Sequence, residues 1–153
     1  MDFLQTNETR LEILMPLIKE CLADGRSVWI YPNGVSMRPM IRQGVDRVLL
    51  SPVPEKLNKY DLPFYQRDDG QFVLHRIVGV GKTYTCVGDN QVDLETGVRY
   101  DQMIAVVSAF SRGDKVISTN SFWYKVYCRY CHYFRHPRHF WRRGTGWLRR
   151  HIK

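Results

Sequence analysis

The apolar positions of this chain change period twice. Over residues 7–23, Leu11, Leu14, Met15, Ile18 and Leu22 recur at helical spacing and form one stripe. Thr9 and Glu12 have capping-box spacing, Asp24-Gly25 supplies a stop, and Pro16 lies within the stretch, where it favours a kink or a later start. The period then drops to two. Short β-type runs occupy 27–31, 47–51, 62–66, 72–80, 84–87 and 103–110. Turn signals at Pro32-Asn33-Gly34, Gln43-Gly44, Asp68-Asp69-Gly70, Gly88-Asp89-Asn90 and Thr96-Gly97 separate them. Many short strands with few helices predict a mainly β (α+β) protein, with a compact sheet or barrel-like domain over about 25–118. Over 121–135 the period returns to helical. Lys125, Arg129, His132 and His136 fall on one face, and Trp123, Tyr127, Tyr130 and Phe134 on another. Pro137 and then Gly144-Thr145-Gly146 interrupt the pattern toward the C-terminus.

Composition adds a boundary. The 153 residues, 44% apolar with 20 aromatics, suffice for one modest core. No run approaches the ~18–20 apolar residues of a membrane span. The acidic start MDFLQTNETR does not read as an export signal, and four cysteines then point to thiols in a reducing compartment. A cytoplasmic protein is the expectation. Its net charge of +8 is uneven, because residues 1–114 carry −2 and residues 115–153 carry +10 with no acid at all. The same last stretch holds 10 of the 20 aromatics. The division expected is therefore a domain over 1–118 and a basic aromatic tail over 119–153. Rings at headgroup depth with cations meeting anionic lipid suit such a tail to the inner face of a membrane, through Trp123, Lys125, Arg129, Arg142, Arg143 and Trp147.

Other readings of the tail carry less. Nucleic acid would be met by cations interleaved with rings along a groove, whereas here the two lie on separate helical faces. Cys128-x-x-Cys131-x4-His136-x-x-His139 offers four zinc ligands, but the helical pattern runs continuously through them and no glycine lets the chain turn. The plainest alternative packs the aromatic face on the β domain and leaves the charges solvated.

Three segments carry candidate chemistry. In Asn33-Gly34-Val35-Ser36-Met37-Arg38-Pro39-Met40 a serine sits in a turn beside glycine, where nearby backbone N–H groups can face an oxyanion. In Val73-Leu74-His75-Arg76-Ile77-Val78 a basic pair interrupts an apolar strand. Alternation puts His75 on the face of Val73 and Ile77, semi-buried and close to neutral, as a general base requires. Gly88-Asp89-Asn90-Gln91-Val92-Asp93 is a turn with two carboxylates able to orient a histidine or an arginine.

Taken together, Gly-x-Ser-Met-x-Pro, then His-Arg-Ile on an apolar strand, then Gly-Asp-Asn resembles the type I signal peptidase superfamily, in its Ser-His branch. The resemblance covers about 25–110, and Gly44-Val45-Asp46 and Tyr60-Asp61 lie where the family repeats Gly-Asp turns. It implies a signal-peptidase/LexA-like β domain with an N-terminal helix and a C-terminal basic aromatic helix. Ser36 matches the nucleophile and His75 the general base. Asp93 matches the acid that would orient His75, and Asp89 the Gly-Asp-Asn aspartate. The Ser36 amide would hold the oxyanion, Met37 and Pro39 would shape the turn, and Arg76 and Asn90 would support the site. Gly34 stands where the family often has a serine whose hydroxyl assists the oxyanion hole. The implied activity is cleavage of a peptide, or of a leader or signal segment, through an acyl-serine, with no metal or organic cofactor. LexA-like repressors share this layout with a lysine base and a preceding helix-turn-helix, for which the ~25 residues before the first strand leave too little chain. The competing expectation is a non-catalytic peptide-binding module of the same fold, tethered to membrane or nucleic acid by its basic tail.

Overall fold

The computed structural model describes residues 8–137 and Phe140, with side chains from Leu11 onward. Helix α1 spans Glu8–Ala23 and contains Pro16. It starts one residue ahead of Thr9, so the expected cap falls inside the first turn. Its end is the expected one: Gly25 takes φ 75°, and Gly25 and Arg26 donate to the carbonyls of Leu22 and Cys21. A positive φ costs glycine nothing, and the bonds satisfy carbonyls the last turn would leave open. The stripe faces inward, with Met15, Ile18 and Leu22 buried and Leu11 and Leu14 packed beside them.

Among the described residues nine strands come after it, and every pairing is antiparallel. A six-stranded sheet takes the order β1 (Val28–Ile30), β2 (Val48–Ser51), β8 (Met103–Arg112), β3 (Pro63–Gln66), β4 (Phe72–Leu74), with β9 (Lys115–Ser118) also on β8. The second sheet is β5 (Arg76–Val80), β6 (Tyr84–Val87), β7 (Glu95–Val98). The ten residues of β8 serve three partners in succession, β3 near its start, β2 in the middle and β9 at its end. The protein is thus mixed α+β and mainly antiparallel sheet.

Two departures from the sequence reading matter for the site. The run 72–80, expected as one strand, breaks at His75: β4 ends in the first sheet and β5 begins in the second. β7 was hidden because Thr96-Gly97 reads as a turn, yet Glu95 pairs with Cys86 and Val98 with Tyr84 around a register shift. One core lies under α1 and the larger sheet; Val48, Leu50, Leu62, Phe64, Ala105 and Val107 are among its members. The other lies between the sheets, with Leu57, Tyr65, Val73, Ile77, Tyr84, Cys86 and Val98.

Helix α2 (Phe122–Tyr133) begins at Ser121, whose side chain accepts from the Tyr124 amide. The inner face of α2 is Tyr124, Cys128 and Cys131, and the first two belong to the larger core. The break near residue 118 is therefore a change of composition, not of packing. Among the described residues no helix is long and apolar enough to cross a membrane. Arg142, Arg143, Trp147 and His139 lie outside the described residues.

Candidate active site

Ser36 sits in an irregular turn between β1 and β2 that is pinned at several points. Gly34, at φ 90°, admits the reversal that brings the chain round. Met37, Met40 and Ile41 bury beneath the turn, and each such side chain contributes about 1.5–3 kcal/mol. Pro39 comes after a cis peptide bond. Beyond it the Arg42 fork grips the fully buried Asp46 carboxylate at 2.8 Å through both Nε and Nη2, and the Arg42 amide donates to it at 2.9 Å. Arg112 donates to the Pro39 and Met40 carbonyls from β8.

The Gly-Asp-Asn turn clamps the serine from the other side. The Asn90 amide donates to the Ser36 carbonyl at 2.8 Å, and Asn90 Nδ2 donates to the Val35 carbonyl at 3.2 Å. Gly88 approaches so closely that a Cβ there would stand 2.6 Å from the Ser36 oxygen and 2.9 Å from Ser36 Cβ. Only glycine fits this contact.

Ser36 and His75 line one cavity of about 170 Å³, with Met37, Arg67, Phe72 and Gln91 among the other walls. His75 is 6% exposed, at the corner between the two sheets. Its Nδ1 lies 3.4 Å from the Tyr65 hydroxyl and 3.4 Å from Glu95 Oε2. Burial and the Glu95 carboxylate push the Tyr65 phenol up, and its single proton goes to Glu95 Oε2 at 2.8 Å. Both neighbours can then only accept from the imidazole, which favours the tautomer with its proton on Nδ1 and the lone pair on Nε2. Burial holds the His75 pKa below the ordinary value of 6.5; Glu95 opposes that shift and Arg67 adds to it. The ring is neutral at pH 7. Glu95 is itself gripped by Arg67 through two bonds of 2.7 Å, which hold its carboxyl below the usual range.

Of the Gly-Asp-Asn turn's two carboxylates, neither stands beside His75, and Asp89 orients an arginine instead. Asp93 is exposed, in the loop ahead of β7, and the carboxylate beside His75 is Glu95, two residues further on. Asp89 is 4% exposed and takes both arms of the buried Arg76 guanidinium, at 2.8 and 2.7 Å. Arg76 also donates to the Tyr60 carbonyl, to the Tyr124 hydroxyl at 2.8 Å and to Cys128 Sγ at 2.9 Å, while the Tyr127 hydroxyl donates to Asp89. Burial works against the charge on Arg76, but Asp89 outweighs it and the side chain remains a cation. Asn90 bonds the Ser36 and Val35 carbonyls, Met37 is buried beneath the turn, and Pro39 closes a cis peptide bond within it.

Glu95 and Tyr65 were missed. β7 was not expected, and Tyr65 read as one more apolar strand position, so no local signal marked either. On α2, Cys128 and Cys131 face the protein, and burial pushes the Cys128 thiol up. Among the described residues no three His, Cys, Asp or Glu side chains are grouped to hold a metal ion.

Comparison of the chain with family models, with curated proteins and with solved structures found no match.

Proposed function

We propose that this chain is a serine endopeptidase of signal-peptidase-like fold that cleaves a peptide or a leader segment through an acyl-Ser36 intermediate. One observation carries the reading: Ser36 and His75 line one cavity, and His75 Nδ1 lies 3.4 Å from both the Tyr65 hydroxyl and Glu95 Oε2, which favours Nε2 as the accepting nitrogen. A neutral imidazole with an accepting Nε2 is the form a general base needs.

In the reaction, His75 Nε2 takes the Ser36 proton as Oγ attacks the scissile carbonyl carbon. The Ser36 amide, which makes no backbone hydrogen bond among the described residues, holds the oxyanion. The imidazolium then returns its proton to the leaving amine as the C–N bond breaks. Water, deprotonated by the same Nε2, hydrolyses the ester and restores the Ser36 hydroxyl. Glu95 and Tyr65 act through His75 as positioning residues and stabilise the transient imidazolium. The Ser36 hydroxyl makes no hydrogen bond to His75 here, and catalytic hydrogen bonds often tighten only with substrate in place.

Gly34 favours a second reading, a peptide-binding module without catalysis, since it offers no hydroxyl to assist an oxyanion. One experiment separates the two: intact-mass spectrometry of the protein and of Ser36→Ala after exposure to a β-lactam or lactone acylator. A stable adduct on the parent alone is the expected result. Equal adducts on both, or cleavage of a peptide library by Ser36→Ala, would sink the peptidase reading.

A further inference from the structure

Helix α2 has three faces, and two of them point away from the protein. At 100° per residue the inner sector holds Tyr124, Tyr127, Cys128 and Cys131, engaged with the core and with the Arg76–Asp89 pair. Phe122, Val126, Tyr130, Tyr133 and Trp123 share an outward arc of about 100°. They are 71%, 41%, 48%, 70% and 77% exposed. Phe134, 53% exposed, extends the arc by stacking on Tyr130 at 5.2 Å. Lys125, Arg129 and His132 fill the third sector, joined by Lys59, whose amine lies 3.4 Å from His132 Nε2.

Single exposed apolar residues on a soluble surface mean little, but a continuous patch marks a contact. Of the 16 large apolar side chains left exposed among the described residues, seven come from 122–140. They include Trp, Tyr and Phe beside a row of cations, on a stretch from residue 115 onward that has ten Lys and Arg and no acid. A protein partner core would not ask for an acid-free surround. A nucleic acid would want rings and cations mingled, whereas here they occupy adjacent sectors. Rings on one side and cations along the edge match the layering of a bilayer interface, acyl boundary below and headgroup charge above.

We infer that the outward face of α2 docks this protein onto an anionic lipid bilayer, with Phe122, Trp123, Tyr130 and Tyr133 entering the interface and Lys125, Arg129 and Lys59 meeting the headgroups. Because the inner sector of the same helix is bonded to Asp89, next to Gly88 and hence to the Ser36 turn, docking sets the orientation of the cavity to the membrane plane. The face differs from the one read from sequence, since Tyr127 turns inward to Asp89 and Phe122 and Tyr133 take its place. The inference does not depend on Ser36 chemistry.

The test is flotation of the full chain with vesicles of phosphatidylcholine alone or mixed with phosphatidylglycerol. The protein should float with the mixed vesicles, release as salt is raised, and remain below with the neutral ones. Phe122→Ser/Trp123→Ser/Tyr133→Ser should weaken partitioning about tenfold or more. Lys125→Gln/Arg129→Gln should weaken it about fivefold per cation removed. The three aromatic positions are solvent-facing, so the thermal midpoint should hold; should that variant unfold, the cation variant and the salt titration decide. Ser36→Ala should float like the parent, which keeps this result separate from that of the acylation test. Absence of flotation with mixed vesicles, or undiminished flotation of the aromatic variant, overturns the inference. So does a single-stranded oligonucleotide that strips the protein from vesicles and depends on the same rings, for it would assign the face to nucleic acid.

Discussion

Gly88→Ala is the sharpest perturbation of the site, because its effect derives from backbone geometry alone. The new methyl would meet the Ser36 carbonyl oxygen at 2.6 Å, Ser36 Cβ at 2.9 Å and Gln91 Oε1 at 2.8 Å. Gln91 is exposed and can swing aside. The Ser36 backbone cannot, since Met37 and Ile41 are buried behind it and Arg112 grips the next carbonyls. Reaching an ordinary contact of 3.4 Å requires the two turns to part by about 0.8 Å. That opening breaks the 2.8 Å bond from the Asn90 amide to Ser36. Overpacking costs about 1–3 kcal/mol, and losing the bond about 1 kcal/mol more. For a chain of this size that corresponds to a fall in thermal midpoint of about 4–16 °C. If Ser36 is the nucleophile as proposed, a shift of nearly 1 Å should also slow acylation about a hundredfold. The control is Gly81→Ala, where the nearest atom to a new Cβ is the Thr83 carbonyl oxygen at 3.7 Å. It should leave both quantities unchanged or raise stability by about 0.4–1 kcal/mol through the unfolded chain. Melting curves and acylation rates measured by mass spectrometry check both. If Gly88→Ala melts and labels like the parent, the close packing of the two turns is not what holds Ser36.

The charges of the site dictate further outcomes. With its pKa held below 6.5 by burial, His75 should support acylation at neutral pH and lose it only as the pH falls through that depressed value. The folded state then binds fewer protons than the unfolded one, so stability should also decline as pH drops from 6.5 toward the depressed value. Glu95→Gln removes the carboxylate that favours the imidazolium, so the acid limb of the rate profile should move to lower pH while the plateau rate falls; an unmoved limb would exclude Glu95 as a positioning residue. Arg76→Met strands the Asp89 carboxylate in the interior and should cost about 3–5 kcal/mol, read as a drop in thermal midpoint of order 10 °C. A change within about 2 °C would show that Asp89 finds other partners.

The fold was legible where one element obeys one period. The stripe of α1, the Asp24-Gly25 stop and most β runs were found because burial on one face imposes its own spacing on the residues. Failures came where a residue changes sheets or a strand is made of turn formers. Nothing local in Val73-Leu74-His75-Arg76-Ile77 tells that the ladder ends at Leu74 and another starts at Arg76. Glu95-Thr96-Gly97-Val98 has the composition of a loop and becomes a strand by pairing with β6. At the site, Ser36, His75 and the Gly88-Asp89-Asn90 turn were readable, because a turn serine, a buried histidine and a close-approach glycine leave marks in sequence. The acid beside His75 was not, since a carboxylate on a strand edge reads the same whether it faces solvent or a neighbouring sheet. The outward arc of α2 was half legible. Spacing separated rings from cations, but only docking on Arg76 decides which rings turn inward.

Two neighbouring basic residues with two separate acids explain why nearness in sequence misled. His75 lies between β4 and β5, so it reaches the Ser36 cavity while Arg76, the next residue, reaches the opposite side of the backbone toward α2. Asp89 could serve one of them, and the guanidinium takes it because a planar fork binds both carboxylate oxygens at once. That leaves His75 to an acid whose charge is already shared with Arg67. The division suits the proposed reaction. A carboxylate devoted wholly to His75 would raise the imidazole toward the protonated form; here burial lowers the imidazole pKa, Glu95 opposes that shift and Arg67 adds to it. The buried Arg76–Asp89 pair then has a different task. Apolar residues of similar volume could hold the core as firmly. They could not join the Tyr60 carbonyl, Tyr124, Cys128 and the Gly-Asp-Asn turn in one fixed geometry, and through that turn α2 bears on Ser36.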